Sequence, residues 1–398
     1  MELRELKANW EEFGRTDPLW AVLSDPVHRY GQWNAEDFFS SGERDVEGVL
    51  EDLFALGANP RAGRALDFGC GVGRLSQALA RRFRRVDGVD IAVSMINQAR
   101  EYNRYGDRCH YHVNDRDDLS SFPGGAFDFV FSMLVLQHMQ PKYALRYIRE
   151  FMRLTARGGI IVFQIPVDTL KRRELPPDAF SARVEVLRAP AEMAARSAHQ
   201  VLVRVTNASP VPWSRSTSDG ALHDINVGNH WLDRHGAVAV ADDGHCPIGT
   251  DLASGESVEL NLTVVAPATP GAYALEIDVV QESVSWFKER GSPTGRVEVR
   301  VSADGTDSPM VSPSGFSPVM EAYAVPERKV RRAVERGGGV VIDVREDQRC
   351  GPTFRSLRYI VRRGSRVRQL ARGLAPRPLR PLVDRGADAL QGVLGLDL

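Results

Sequence analysis

Residues 64–75 read RALDFGCGVGRL, and the fold follows from how that stretch is parsed. Ala65, Leu66 and Phe68 around Asp67 read as a short buried strand, and RLSQALARRF from Arg74 onward as a helix. Between them lies the turn Asp67-Phe68-Gly69-Cys70-Gly71-Val72-Gly73. Glycines at a strand-to-helix turn admit positive φ and let a ligand approach the backbone. A dinucleotide-binding GxGxxG needs glycine at position 74, which is Arg74, and no GK[ST] follows to make a phosphate-binding P-loop. GxGxG behind an acid therefore disfavours nicotinamide and flavin.

Working outward, RALDF, RVDGVD, CHYHV, FDFVFS and GIIVFQI read as strands between residues 62 and 168. Their near-continuous apolar character suits a sheet covered on both faces. RLSQALARRF, AVSMINQAREYN and PKYALRYIREFMRLT alternate with them. In the last, Ala144, Ile148 and Phe151 recur at helical spacing beside Leu145 and Met152. Strand and helix in repetition imply right-handed crossovers and a parallel, doubly wound sheet. Such sheets bind ligands at the carboxyl ends of their strands, where several candidates fall. Asp90 closes RVDGVD 23 residues after Asp67, the place of a ribose-binding acid, and accepts from both ribose hydroxyls. Ile91 and Met95 are placed to cover an adenine, Asp115 after the third strand to accept its amino group, and Ser132-Met133 to border the ligand. The ligand class left is a nucleoside with a charged, phosphate-free tail, and S-adenosylmethionine is such a molecule.

Here the chain resembles the class I S-adenosylmethionine-dependent methyltransferase family. The likeness runs through LDFGCGVGR, VDGVD, NDRDDL, FDFVFSMLVLQHM and GGIIVFQIP over residues 62–168, and resumes over 319–363. It implies a Rossmann-like α/β fold with a seven-stranded sheet ending in a reversed hairpin. GVVIDV and SLRYIVRR would form that hairpin, after a helix in VPERKVRRAVERGGG. It also implies that Asp67, Gly69, Cys70, Gly71 and Gly73 hold the methionine end, Asp90 the ribose and Asp115 the adenine, with Met133 alongside. Asp67 has a second reading, as an acid that orients loop amides, and Cys70 is explained by its small size.

After Pro166 the period changes. ARVEVLR, QVLVRVT, SVELNLTVV, AYALEIDVV and GRVEVRV alternate in period two, separated by turn clusters such as NASPVP, DDGH and APATPGAY. They predict an immunoglobulin-like β-sandwich inserted into the α/β domain, with Trp213, Trp231, Trp286 and Phe287 shared between core and surface. Tyr273 is positioned for a corner hydrogen bond. The expected organisation is an aromatic-rich helical lid (1–60), the first part of the catalytic core (61–170), the sandwich (171–305), a linker with the second part of the core (306–363), and a basic tail (364–398). The leader WAVLSDPVHRYGQWNAEDFFSSGERD and the insert's NHWLD and PGAYALEIDVVQESVSWF are similar to methyltransferases of bacterial glycan and polysaccharide biosynthesis.

Composition bounds what remains. At 398 residues, 43% hydrophobic and 26% charged, the chain is a multidomain globular protein rather than a disordered one. Fifty-one basic against 52 acidic residues leave no chain-wide field for nucleic acid. Four scattered cysteines without CxxC spacing argue against a zinc site or disulfide framework. MELRELKANWEEFG shows no secretory apolar region, and the longest apolar run is too short for a bilayer, so a cytoplasmic protein is expected. Ten arginines against one acid between residues 355 and 385 suggest peripheral contact with an anionic membrane face. His138 is the candidate general base; no metal is expected. The expected reaction is O-methylation of a sugar hydroxyl on a glycan or nucleotide sugar. A natural-product or lipid methyltransferase is the alternative, and a non-catalytic cofactor-binding assembly module the alternative from another class.

Overall fold

The computed structural model describes residues 1–25, 28–171, 173–215, 222–241, 244–282, 284–303, 318–351 and 353–364. Of the expected linker and second part of the core, residues 306–317 and 352 lie outside them, as does the basic tail except for Gly364. Two compact units divide the chain. The first comprises Met1–Gly14, Ala35–Thr169 and Ser317–Leu398; the second comprises Arg15–Asn34 and Leu170–Phe316.

In chain order the helices are α1 (Leu3–Thr16), α2 (Pro18–Val22), α3 (Ala35–Ala55), α4 (Arg74–Ala80), α5 (Val93–Glu101), α6 (Pro141–Leu154) and α7 (Glu327–Arg336). The first five strands are β1 (Arg64–Phe68), β2 (Arg85–Asp90), β3 (Cys109–Val113), β4 (Phe127–Ser132) and β5 (Thr155–Thr169). The second unit carries β6 (Ala182–Arg188), β7 (Glu192–Ala194), β8 (Ala198–Asn207), β9 (Ile225–Leu232), β10 (Val238–Val240), β11 (His245–Pro247), β12 (Ser257–Val265), β13 (Gly271–Gln281), β14 (Ser285–Trp286) and β15 (Gly295–Ser302). The chain then returns to the first unit with β16 (Gly339–Glu346) and β17 (Phe354–Arg363).

The first unit is built on a seven-stranded sheet in the order β16-β17-β5-β4-β1-β2-β3. β5, β4, β1, β2 and β3 are parallel, and β17 runs antiparallel to both β5 and β16. The strands and reversed hairpin read from the sequence are therefore all present. Alternate residues along each strand feed two cores. Leu66, Val130, Ile161 and Val361 pack with α6 and α7 on one face. Ala65, Phe129, Phe131 and Ile160 pack on the other with residues of α3, α4 and α5. α6 begins with Pro141 at its first turn and buries Ala144, Tyr147, Ile148, Phe151 and Met152, the stripe its spacing predicts.

One polar knot ties the last three strands of this sheet, β1, β2 and the edge strand β3. Asp87 of β2 is fully buried and accepts from Arg64 Nε of β1 at 2.7 Å and from the Arg85 guanidinium, and it lies 2.9 Å from His112 Nε2 of β3. Burial pushes this carboxyl up, but the bonds from His112, Arg64 and Arg85 outweigh it and hold it well below the usual carboxylate range.

The second unit contains a three-stranded antiparallel sheet, β12-β8-β6, and a larger one along β10-β9-β13-β15-β7, with β11 on β9 and β14 on β13. The pairing of β15 with β7 is parallel. Residues from both sheets share one apolar core, including Val203, Leu262, Leu275 and Val299. Trp213, Trp231 and Phe287 are buried there, whereas Trp286 is partly exposed against His230 and His245. Tyr273 donates its hydroxyl to the Thr269 carbonyl at 2.9 Å, the corner bond expected of it. Central strand β9 was missing from the period-two reading. The leader also differs from a single lid: residues 15–34 group with this unit, where Trp20, Arg29 and Tyr30 line a small cavity with Cys246 and Leu262. Among the described residues, no helix is long and apolar enough to cross a membrane.

Candidate functional site

The glycine turn sits at the carboxyl end of β1. Gly69, Gly71 and Gly73 have φ of 75°, 51° and 84°, so all three occupy the left-handed region that the motif was read to require. Gly69 leaves no room for a side chain, because a Cβ there would stand 2.3 Å from a Val135 methyl. Val135 belongs to the turn after β4, and its neighbour Leu134 is itself left-handed at φ 61°. The Leu134 amide donates to Gln164 Oε1 of β5 at 3.0 Å, and the buried Gln164 amide donates in turn to Ser356 Oγ of β17. The glycine loop is thus backed by a strained turn that two neighbouring strands hold in place.

Asp90, at the carboxyl end of β2, joins the loop to the next helix. Its Oδ2 accepts from the Gly71 amide at 2.9 Å and its Oδ1 from the Ala92 amide at 3.0 Å. A carboxylate offers about four lone-pair positions, so each oxygen keeps capacity for a ribose hydroxyl. Burial raises this carboxyl, while the amides of Ala92, Gly71 and Ile91 oppose the rise. Asp67 is deeper, 1% exposed, and accepts from Ser76 Oγ at 2.6 Å. Burial pushes it up to about 6, against the Ser76 bond. Its hydrogen-bond partner is thus the first turn of α4, and no bond from a loop amide to Asp67 accompanies it among the described residues.

The remaining candidates are less alike. Ile91 is half-buried beside Asp90. Met95 and Met133, expected along the ligand, are covered to 0% and 4% exposure and pack into the interior. Cys70 is buried, and its burial together with Asp90 and Asp67 pushes the thiol well up, which keeps it neutral. Asp115 is exposed and paired with Lys7 of α1 at 3.0 Å, which holds its carboxyl down.

α1 is the element that sequence reading described only as part of an aromatic leader. Besides Lys7 on Asp115, Glu11 accepts through its carbonyl from Ser94 Oγ at 2.8 Å, and Asn9 Oδ1 accepts from the Val319 amide at 2.5 Å. Trp10 meets His138 edge-on at 5.1 Å. α1 therefore lies over the segments that follow β2, β3 and β4. His138, in the short turn Leu136–His138 after β4, is held from the other side, with Nδ1 3.0 Å from the Glu321 carbonyl oxygen. A carbonyl only accepts, so Nδ1 carries the proton and Nε2 presents a lone pair. Burial lowers this imidazole to about 4, the carbonyl contact opposing it, so the ring is neutral at neutral pH. Neither Glu321 nor Leu134 was legible beforehand, since one acts through its backbone and the other through its φ.

Comparisons with known proteins bear on the family of the first unit. A family described as "Methyltransferase domain" matches residues 65–159, which span β1 to the beginning of β5. The ubiquinone biosynthesis O-methyltransferase of Xanthomonas axonopodis is 30% identical over 183 residues, covering 43% of this chain and 73% of that protein. The chain belongs to the class I S-adenosylmethionine-dependent methyltransferases.

A second relative, the 2-methyl-6-phytyl-1,4-hydroquinone methyltransferase of Synechocystis, is 30% identical over 156 residues. That match spans 38% of this methyltransferase and just under half, 47%, of the relative. Among solved structures, magnesium protoporphyrin IX methyltransferase from Synechocystis with bound SAH aligns at 16% identity and a TM-score of 0.41, over 90% of this chain and 100% of that one. The residues present fit the methyltransferase co-substrate. A loop with no side chain at positions 69, 71 and 73 suits backbone contact with the amino-acid tail, and the Asp90 carboxylate keeps acceptor capacity for the ribose. Among the described residues there is no group of three or more His, Cys, Asp or Glu arranged to hold a metal.

Proposed function

We propose that the methyltransferase acts on a hydroxyl oxygen, with His138 as the group that removes its proton. The observation behind this is the fixed tautomer: Nδ1 faces the Glu321 carbonyl, leaving Nε2 bare in a neutral ring next to α1. When bound, S-adenosylmethionine supplies the methyl group and, as a sulfonium, its own leaving group. The chain's part is to align the acceptor with the methyl and to receive one proton. A ring lowered to about 4 is a weak base toward a free hydroxyl. It suffices late in the transfer, because an oxygen that has gained the methyl is a strong acid. Asp90 holds the ribose and the glycine loop the methionine end, and α1 excludes water as a lid.

The acceptor class proposed is a sugar hydroxyl on a glycan or nucleotide sugar. Supporting it, the second unit reads as an immunoglobulin-like sandwich on its strand order, its parallel β15–β7 edge and its Tyr273 corner. It also carries a partly exposed Trp286 beside His245, whose Nδ1 lies 2.6 Å from Glu282 Oε1, with Asn226 Nδ2 donating to the same oxygen. An aromatic face flanked by carboxylate and amide suits the C–H face and hydroxyls of a pyranose. A phenolic hydroxyl is the second reading, favoured by the quinone and hydroquinone methyltransferases among the relatives. Initial rates with methyl-labelled S-adenosylmethionine on nucleotide sugars, oligosaccharides and quinol phenols decide between them. Label in the sugars supports the first reading, label only in phenols replaces it with the second, and label only in amines ends both.

A further inference from the structure

The opposite edge of the first sheet, where β1, β2 and β4 begin, carries a feature the methyl transfer does not use. An open cavity of about 520 Å³ lies there, lined by Arg61, Arg81, Arg82, Arg84, Arg108 and Asp128 with Gly63 and Phe83 between them. That volume is within the roughly 300–1,000 Å³ of small-molecule sites. Its lining is predominantly positive, five arginines against Asp128. Asp128 is already committed, accepting from the Arg64 amide at 2.9 Å. Arg81 is paired with Glu43, with Glu47 at 4.0 Å, and Arg108 donates to the Ala80 carbonyl at 3.2 Å. Among the described residues, Arg61, Arg82 and Arg84 have no carboxylate within ion-pair distance.

Exposed arginines usually face solvent singly, and a protein of net charge −1 has no general surplus of them. Here Arg81, Arg82 and Arg84 follow one another out of α4 into β2, while Arg61 precedes β1 and Arg108 precedes β3. The topology of adjacent parallel strands brings these three chain entrances to one rim. Guanidinium groups present planar, paired N–H donors that match phosphate oxygens, and several converging on one concavity suit a multiply charged anion better than a single carboxylate.

We propose that this cavity is a binding site for a phosphate-bearing anion, separate from the cofactor site at the carboxyl ends of the strands. The phosphate belongs to a soluble diphosphate or to a lipid head group at an anionic bilayer. The two sources are distinguished by titrating the full chain with inorganic pyrophosphate in calorimetry, and by co-sedimenting it with phosphatidylglycerol-containing or pure phosphatidylcholine vesicles. Both are done at low and physiological salt, because screening shortens from about 30 Å at 0.01 M to about 8 Å at 0.15 M. The test variant is Arg82→Ala with Arg84→Ala, two exposed side chains whose loss leaves the core intact. The control is Arg328→Ala with Lys329→Ala on exposed positions of α7.

Pyrophosphate binding that weakens at least about tenfold in the test variant and not in the control supports a soluble ligand, in keeping with the strength of charge-assisted hydrogen bonds. Vesicle binding that depends on phosphatidylglycerol and falls in the test variant alone supports a head group. Binding unchanged by the test variant in both arms overturns the site, as does pyrophosphate binding abolished by saturating S-adenosylhomocysteine.

Discussion

Gly69→Ala tests how tightly the cofactor loop is built. An alanine at φ 75° bears a left-handed penalty of about 1–2 kcal/mol. Its Cβ would also stand 2.3 and 2.4 Å from the two Val135 methyls and 2.9 Å from Val135 Cβ. Because Leu134 is tethered to Gln164, that turn cannot simply retreat, and overpacking adds about 1–3 kcal/mol. The sum, about 2–5 kcal/mol, is smaller than the total stability of most domains, so the variant still folds. Denaturant unfolding gives this loss, and titration with S-adenosylhomocysteine gives the accompanying loss of affinity, a factor of ten for every 1.4 kcal/mol. Adding Val135→Ala removes both clashing methyls but neither the 2.9 Å approach to its Cβ nor the left-handed penalty. The double variant therefore recovers part of the overpacking, about 1–2 kcal/mol relative to additivity, a coupling typical of residues in contact. Full additivity, or a Gly69→Ala variant that binds and unfolds like the parent, would refute the proposed packing of the loop.

His138→Gln lowers kcat by about two to four orders of magnitude while leaving S-adenosylhomocysteine affinity within a factor of a few, measured by initial rates and calorimetry. The same variant isolates a pH effect. In the folded chain His138 titrates near 4, below its ordinary 6.5, so folding favours the neutral ring; that stability is complete above pH 6.5 and is lost as pH falls towards 4. Relative to the parent, His138→Gln gains up to about 3 kcal/mol between pH 7 and pH 4, and a difference constant with pH would contradict it. Asp67→Asn keeps an acceptor for Ser76 and removes a carboxyl raised to about 6, so thermal unfolding at pH 7 is unchanged or later. Asp67→Ala strands the Ser76 hydroxyl and costs about 1–3 kcal/mol. Asp87→Ala removes the buried acceptor shared by Arg64, Arg85 and His112, whose own side chains stay partly open to solvent, and destabilises by about 1–3 kcal/mol in urea unfolding; no measurable loss would remove Asp87 as the tie between β1, β2 and β3.

The sheet was legible because its strands are short apolar runs bounded by turn residues, and the glycine loop because its three glycines behind an acid fit neither the dinucleotide turn nor the P-loop and resemble a known family's. β9 was not, since Asn226, Asn229 and His230 interrupt its apolar alternation although the strand is buried on both faces. The division of the leader was equally hidden. Trp10 and Trp20 are similar residues on helical segments, yet one meets His138 and the other lines a cavity with Cys246. At the site, charge and spacing identified Asp90, whereas the tether on His138 is a main-chain carbonyl that any residue at position 321 would supply. The methionines were placed by distance along the chain, and both are buried in this structure. The arginine rim became visible only when three separate chain segments were brought to one edge.

The central claim, methyl transfer to oxygen, is tested most directly by supplying S-adenosylmethionine labelled with carbon-13 at the methyl group to the full chain with the glycan, nucleotide-sugar and quinol acceptors, then reading the product methyl by carbon NMR. The account predicts a methyl resonance bonded to oxygen, formed by the parent chain and nearly absent with His138→Gln. A methyl bonded to nitrogen, carbon or sulfur, or an oxygen-bound methyl formed equally fast without His138, would contradict it.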